Sequence, residues 1–206
     1  MSEWIEGSAV LALLQQVKRG GKPVTGLKMR NADCSGEQLA GLILAECQFQ
    51  GVCFSRANLD AAVFTDCTFR QVVFDQASLN KATFFKTTFL QCGFESSVGR
   101  RLTMAQCGTI DLQAQSASFI EAKFLQSSFK NASFSTADLN TAVFVESLLE
   151  HTDFSNAKVE QSCFYKLDLR TCKFQGAQGA RIVLGSSLLD GLDLSNASMP
   201  VTCAGS

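Results

Sequence analysis

A five-residue periodicity runs through most of this chain and constrains its fold more than any other feature. Taking every fifth position from residue 39 to residue 199 gives 33 residues, of which 16 are Phe and ten are Leu. Only Gly99, Thr109, Ala114 and Gly179 interrupt this column of large apolar residues. A period of five fits neither an α-helix, which repeats at 3.6 residues, nor a β-strand, which repeats at two. The chain must therefore turn at regular intervals.

A second column lies two positions before the first and consists of small residues. Twelve of its 33 members are Ala, seven are Ser or Thr, and five are Cys. Each unit therefore reads small–x–large–x–x, as in the stretch 57–61. Two residues of each unit point inward and three outward, so each unit turns a corner. Four units close a square coil, and coils stack at roughly 4.8 Å, the spacing of paired strands.

These units resemble those of a known family. The Ala-Asp/Asn-Leu-x-x and Ala-x-Phe-x-x patterns are similar to the repeats of pentapeptide-repeat proteins, which form right-handed quadrilateral β-helices. The resemblance covers residues 39–199 and implies an all-β solenoid, a four-sided parallel β-helix of about eight coils. It indicates little about function, because the repeat determines the interior while the outside varies freely.

Residues outside the repeat predict a domain organisation of four parts. Residues 1–22 form an N-terminal helical cap, since an apolar stripe at helical spacing (Val10, Leu13, Leu14 and Val17) precedes Gly20-Gly21 and Pro23. A docking helix for a partner is the alternative. Residues 23–38 lead into the coils at 39–199. The tail, 200–206, is too short and too polar to cap the last coil, which is therefore frayed or covered by another molecule.

The repeat weakens between residues 95 and 118, where small residues occupy the large column and Leu102 and Leu112 occupy the small one. The register is kept, because Phe94 and Phe119 are separated by five complete units. We expect a distorted coil here, with a kink near Gly99. A mobile loop is the less favoured alternative, since no residues are inserted.

Composition excludes several functional classes. The formal net charge is −1, with 18 basic and 19 acidic residues, which favours neither nucleic-acid binding nor a strongly anionic surface. The nine Cys form no CxxC pair, and the single His151 lies on an outward position between Glu150 and Asp153. We therefore predict no metal, no cofactor, no catalytic residues and no enzymatic activity. Five Cys (47, 67, 92, 107 and 172) are expected as buried fillers.

The N-terminal segment also bears on localisation. Its apolar stretch, residues 9–14, is too short to span a bilayer, and Glu3 and Glu6 replace the basic residues of a signal peptide. We expect no membrane contact, and a cytoplasmic location with reduced thiols.

One side of the predicted prism is apolar on its outer surface. Its outward positions, here called the apolar face, include one ladder directly after the inward column and a second directly before it. The first ladder is Phe85, Leu125, Val145 and Tyr165, with Ala105 continuing it; the second is Ile43, Val63, Val143 and Val183. A contiguous apolar strip predicts a protein-binding surface. The alternative is that such residues merely favour strands.

These observations predict a non-catalytic scaffold or adaptor that binds another protein. Binding is expected through the apolar face or the open C-terminal end around Leu189, Leu194 and Met199, with a homodimer as one form of the complex. The family resemblance implies an alternative, a DNA mimic that binds and protects a type II topoisomerase such as gyrase. On the side centred on Leu59, however, acids are offset by bases: Asp60, Glu121, Asp138 and Glu160 against Lys81, Arg100, Arg101, Lys158 and Arg181.

Overall fold

A computed structural model describes the backbone of residues 3–202 and the side chains of residues 3–200. The chain is a parallel β-solenoid of about nine turns with one short helix near its N-terminus, which confirms the predicted fold class. The large and small columns point inward throughout the central coils, where they are almost completely buried. The interior of these central coils is therefore filled by side chains and leaves no channel.

The corners of the coils adopt one recurring conformation. The second residue after almost every large inward residue has a positive φ, as at Arg56, Ala61 and Asp66, with φ of 60°, 55° and 51°. This left-handed region is unfavourable for residues other than Gly. Hydrogen bonds to the next coil hold it, because the corner N–H of Arg56 donates to the carbonyl of Asp75 at 2.9 Å. Stacking thus compensates for local conformational cost.

Strands occupy two neighbouring sides of the square and form two parallel sheets. The eight-stranded sheet contains β1 (Trp4–Glu6), β3 (Lys28–Arg30), β5 (Gln48–Gln50), β7 (Thr68–Arg70), β9 (Thr88–Leu90), β11 (Gly108–Ile110), β13 (Ser128–Lys130) and β15 (Leu148–Glu150). The ten-stranded sheet contains β2 (Val24–Thr25), β4 (Ile43–Ala45), β6 (Val63–Thr65), β8 (Thr83–Phe85), β10 (Thr103–Ala105), β12 (Lys123–Leu125), β14 (Val143–Val145), β16 (Cys163–Tyr165), β17 (Ile182–Val183) and β18 (Val201–Thr202). Single bridge pairs, such as Asp33 with Cys53 and Gln38 with Asn58, connect the coils on the other two sides.

The N-terminal cap is shorter than the predicted one and is preceded by a strand. Helix α1 spans Ser8–Gly20 and ends at Gly21, which takes the left-handed conformation with φ 61°. Residues Trp4–Glu6, expected in the helix, instead form β1 and pair with β3. Arg30 on β3 explains this pairing, since its guanidinium binds the Glu6 carboxylate and lies over the Trp4 ring.

Residues 24–38 form the first coil of the solenoid, whereas the sequence predicted a connecting segment over 23–38. Val24 pairs with Leu44 and Met29 with Phe49, so the large column continues upstream of Leu39. This first coil adds three five-residue units, at Val24, Met29 and Cys34, to the 33 predicted ones, so the solenoid has about nine turns and not eight. The helix lies against it: Val10, Leu14 and Val17 are buried in the same core, and Gln15 donates a hydrogen bond to Glu37.

The coil over residues 95–118 keeps its backbone pairing, so the expected distortion and kink near Gly99 are absent from it. Strand β10 pairs with β8 and β12, and β11 pairs with β9 and β13. Gly99 serves a packing purpose: a Cβ there would approach the Phe119 ring to 2.9 Å. What changes here is the core, since the hydroxyl oxygen of Thr109 is buried without a hydrogen-bond partner among the described residues.

A real irregularity lies nearer the C-terminus. The eight-stranded sheet ends at β15, while the ten-stranded sheet continues to β18. Thr171 also lacks the positive φ that every other corner adopts between Gly26 and Asn196. Its hydroxyl instead accepts a hydrogen bond from the N–H of His151. Regular stacking is therefore interrupted on one side between residues 148–151 and 168–171.

Stacked phenylalanines dominate the core. Phe144 lies between Phe124 and Phe164, with ring centroids 4.4 and 5.1 Å away and nearly parallel planes. It also makes edge contacts with Phe134 and Phe154, which stack on the opposite side of the coil. Six of the seven Ser and Thr residues in the small column donate to backbone carbonyls of the preceding coil, as Ser162 does to Leu139 at 2.8 Å, and Ser97 donates to Phe94. The interior thus has few unsatisfied polar groups.

Candidate protein-binding surface

The first ladder of the apolar face lies on adjacent strands of the ten-stranded sheet. Strand register pairs Phe85 with Ala105, Ala105 with Leu125, Leu125 with Val145 and Val145 with Tyr165. These residues project outward because their neighbours in the chain, such as Phe124 and Phe144, are buried inside the coil. The structure thus brings together the four residues of this predicted ladder in one line.

The second ladder is interrupted. Along it, Val63 is followed by Thr83, Thr103 and Lys123 before the next valine, Val143. Val63 and its strand partner Ile43 are therefore separated from Val143 and Val183 by three polar positions. Beyond Lys123 the ladder is apolar again, because Val143 pairs with Cys163 and Cys163 with Val183. The apolar face is continuous only in its C-terminal half.

Most side chains of the apolar face are half-buried, and Tyr165 is the most exposed of them at 37%. Its ring covers Gly185, where an added Cβ would approach the ring to 2.8 Å. Lys86 and Lys166 lie over the Phe85 and Tyr165 rings, with the ammonium nitrogen 5.3 and 5.5 Å from the ring centroid. Cations therefore border the apolar ladder on this edge.

A polar ladder follows this same edge. Gln106 donates to Gln126 and Gln126 to Glu146, while the Lys166 ammonium lies 2.8 Å from the Glu146 carboxylate. The hydrogen bond from Lys166 is the main cause that lowers the pKa of Glu146, and Glu146 in turn raises the pKa of Lys166. The apolar face thus has an ordered polar border, as protein interfaces commonly do.

The C-terminal end carries exposed apolar residues that sequence analysis did not single out. Leu148 is 53% exposed and Leu188 is 50% exposed, close to the interruption of the eight-stranded sheet. Leu194, which the sequence did place at this end, is 40% exposed. A small apolar hollow at the open end is lined by Phe174, Ile182, Leu184, Leu192, Leu194 and Met199. The repeat could have identified Leu148 and Leu188, because each directly precedes a residue of the large column and therefore occupies an outward position.

The side chains that could bind a metal ion or act in catalysis are scattered over the described part of the chain. Among the residues that the structure describes, no three His, Cys, Asp or Glu side chains lie close enough together to hold a metal ion. His151 lies at an exposed corner and its backbone, not its ring, makes the described hydrogen bond with Thr171. Eight cysteines of the described part are free, and six of these are buried; Cys203 lies outside it. No described helix is both long and apolar enough to cross a membrane.

The fold and this surface define a class of protein, a parallel β-solenoid of five-residue repeats whose outer sides are available for contacts. The family model for the pentapeptide repeat region matches residues 110–194. The model for pentapeptide repeats (8 copies) matches residues 25–60 and 53–91. The chain therefore belongs to the pentapeptide-repeat family. No curated protein shows significant similarity to it in sequence.

Solved structures share its architecture. QnrB1, a plasmid-mediated fluoroquinolone resistance protein, in a trypsin-treated form, aligns with a TM-score of 0.51 and 17% identity, covering 97% of this chain and 92% of its own. HetL, a pentapeptide repeat protein involved in heterocyst differentiation regulation from the cyanobacterium Nostoc sp. strain PCC 7120, aligns with a TM-score of 0.51 and 13% identity, covering 96% of this chain and 94% of its own. Similarity at this level concerns the fold.

Proposed function

We propose that this chain is a non-catalytic scaffold that binds another protein, or a second copy of itself, through the apolar face. The observation that supports this most is the contiguity of Phe85, Leu125, Val145 and Tyr165 in strand register. A flat apolar ladder suits a two-fold symmetric contact, because the same strip can lie against itself. Burial of this strip would contribute roughly 25 cal/mol for each Å² of apolar surface.

The packing of the coils supports the non-catalytic part of this proposal. The interior of the coils is filled with Phe, Leu and Ala side chains, so it leaves no room for a substrate. Enzymes commonly bind small molecules in concave, partly enclosed pockets. The larger hollows of the described residues instead lie open on the outer corners.

The open C-terminal end is the second surface of the proposed scaffold. Leu194 and Met199 line its apolar hollow, and no further coil covers them in the described part of the chain. The last coil of a solenoid leaves part of the apolar core in contact with water unless a cap or another molecule covers it. End-to-end contact of two solenoids would cover this hollow.

Self-association tests the proposal and separates the two surfaces. Replacing Leu125 and Val145 together by Lys places two charges on the apolar face without altering the interior, so the variant should fold and melt cooperatively. Sedimentation should show a dimer for the wild type and a monomer for this variant. The matched control is Thr68→Lys with Thr88→Lys, which adds two charges at outward positions of the eight-stranded sheet and should leave the dimer intact.

Two results would redirect the proposal. If dimers survive the lysines on the apolar face, Leu188→Glu with Leu194→Glu should dissociate them, and the C-terminal end becomes the interface. If the wild type is a strict monomer and binds no partner from its host through either surface, the apolar ladder reflects strand propensity alone.

The alternative function, mimicry of DNA toward a type II topoisomerase, is suggested by the shared fold with a fluoroquinolone resistance protein. Such mimicry requires a continuous negative surface, and here six of the 19 acidic residues form ion pairs with bases, which interrupt the negative surface on several sides. Glu121 binds Arg100 and Arg101, Glu160 binds Arg181, and other pairs follow the same pattern on other sides: Lys130–Glu150, Lys166–Glu146 and Arg170–Asp168. The scaffold function is therefore preferred.

The cytoplasmic location belongs to the same proposal. Free thiols persist in a reducing compartment, and the eight described cysteines are unpaired. Burial raises the pKa of the Cys92 and Cys107 thiols to about 11, which keeps them in the inert thiol form. They act as compact core fillers.

A further inference from the structure

A cluster of basic residues lies at the corner where the ten-stranded sheet meets the side that contains Leu79 and Leu139. Two adjoining hollows of about 350 and 290 Å³ occur there and share Arg101. The first is lined by Asn80, Lys81, Arg100 and Arg101, and the second by Arg101, Thr103, Glu121, Lys123, Thr141 and Val143. We call this the cationic groove and define it by Lys81, Arg100, Arg101 and Lys123.

The groove concentrates positive charge in a chain whose overall charge is −1. Glu121 is the acid that lines it, and its carboxylate is bound by both Arg100 and Arg101. Lys81 and Lys123 form no ion pair with any side chain of residues 3–200. The groove therefore retains two unpaired ammonium groups and two guanidinium groups that share one carboxylate.

An unused backbone donor lies in the same place. At this series of corners, side-chain oxygens accept the N–H groups of residues 60, 80, 100, 140, 160 and 180. Within the described chain, the N–H of Ile120 has no such acceptor. In this pattern the acceptor lies two positions earlier for residues 60 and 140, and 20 positions earlier for the others. For Ile120 these positions hold Ser118, whose hydroxyl makes no such bond, and Arg100, which can only donate. An external oxygen acceptor could occupy this position beside Arg100.

The groove adjoins the apolar face. Val143 lines the second hollow and is also a member of the apolar face, while Lys123 lies on the same strand as Leu125. If a partner covers the apolar face, the edge of the resulting interface would thus lie over the cationic groove. Cations at the rim of an interface select partners with complementary charge.

We propose that the cationic groove binds an acidic segment of the protein partner, with its carboxylates on Lys81, Arg100, Arg101 and Lys123 and its apolar residues on the neighbouring face. This inference rests on the proposed function and names the chemistry of the partner. The cations occupy three successive coils, which span about 10 Å at the usual strand spacing. That length matches two or three carboxylates of an extended peptide. A nucleic acid is disfavoured because the flanking surface is apolar, and stable binding requires phosphates to be neutralised over a longer path.

A fluorescein-labelled decaglutamate peptide provides a direct probe, followed by fluorescence anisotropy at low ionic strength. We expect binding by the wild-type protein that weakens as salt is added. Lys81→Glu with Lys123→Glu should weaken it about tenfold, since each change replaces an attraction by a repulsion. Both lysines are exposed and unpaired, so the variant should keep the wild-type melting temperature. The matched control, Lys28→Glu with Lys173→Glu, makes the same change in net charge on the two other sides.

The outcomes separate this inference from the proposed function. Loss of peptide binding in the groove variant alone supports it. Equal loss in the control, no binding by the wild type, or tighter groove-dependent binding of a labelled single-stranded oligo(dT) would overturn it. None of these results alters dimerisation of the wild type or its loss with Leu125→Lys and Val145→Lys, which test the apolar face independently.

Discussion

Removing a single ring from the stacked core gives the most direct test of the packing described above. Phe144 is fully buried, and its ring centroid lies 4.4 Å from that of Phe124 and 5.1 Å from that of Phe164. It also makes edge contacts with rings on two other sides of the coil. Phe144→Ala should lower the free energy of unfolding by about 4–5 kcal/mol, the upper part of the range for such truncations. Little of this loss can be recovered, because hydrogen bonds to the coils on both sides prevent the backbone from collapsing into the cavity.

Urea denaturation followed by far-ultraviolet circular dichroism measures this change. Phe144→Leu should cost only about 1 kcal/mol, since it keeps much of the buried volume and Leu occupies many equivalent positions. Phe85→Ala is the control, because Phe85 is the one Phe that points outward. Its loss should cost below about 1 kcal/mol in the monomer. Equal destabilisation by Phe144→Ala and Phe85→Ala would refute the assignment of inward and outward positions.

Three further predictions follow from the same structure. Phe134→Asp should prevent folding, because its charge would enter a dry column without a partner; a soluble, cooperatively melting variant would contradict the register. At pH 8, Cys53 should be alkylated before the other seven cysteines of the described part. Partial burial alone would raise the pKa of its thiol, but hydrogen bonds with neighbouring serine hydroxyls lower it, whereas burial raises the pKa of Cys34 and Cys172 to about 12. Mass spectrometry of native and denatured protein measures the order, and prior reaction of Cys34 or Cys172 would disprove it. In a gyrase supercoiling assay with a quinolone, equimolar protein should give no rescue; clear rescue would favour the DNA-mimic alternative.

The regular part of the fold was predictable because its cause is local and repeats. The large column from Leu39 to Met199 specifies which residues enter the coil, and its period of five specifies the corners. The outward ladder from Phe85 to Tyr165 followed from the same arithmetic, since stacked coils place residues 20 positions apart in strand register. Whether this ladder binds a protein remains a prediction.

Departures from the repeat could not be predicted in the same way. Val24, Met29 and Cys34 continue the column without Phe or Leu, so the first coil was not identified from sequence. Gly99 suggested a kink, but the ring of Phe119 on the next coil fills the space above it. The reason for a glycine at position 99 is therefore Phe119, which is 20 residues away in the sequence and becomes adjacent only when the coils stack.

The sequence by itself determined the solenoid, the identity of its interior residues and the side that carries the apolar face. These properties depend on a five-residue pattern that is shorter than one coil and is repeated in almost every unit. Only the tertiary structure decided how neighbouring coils interact at their corners. Lys81, Arg101 and Lys123 belong to three different units, and the chain shows no motif that joins them. Stacking at strand spacing brings them to one corner beside Val143, and so creates the cationic groove.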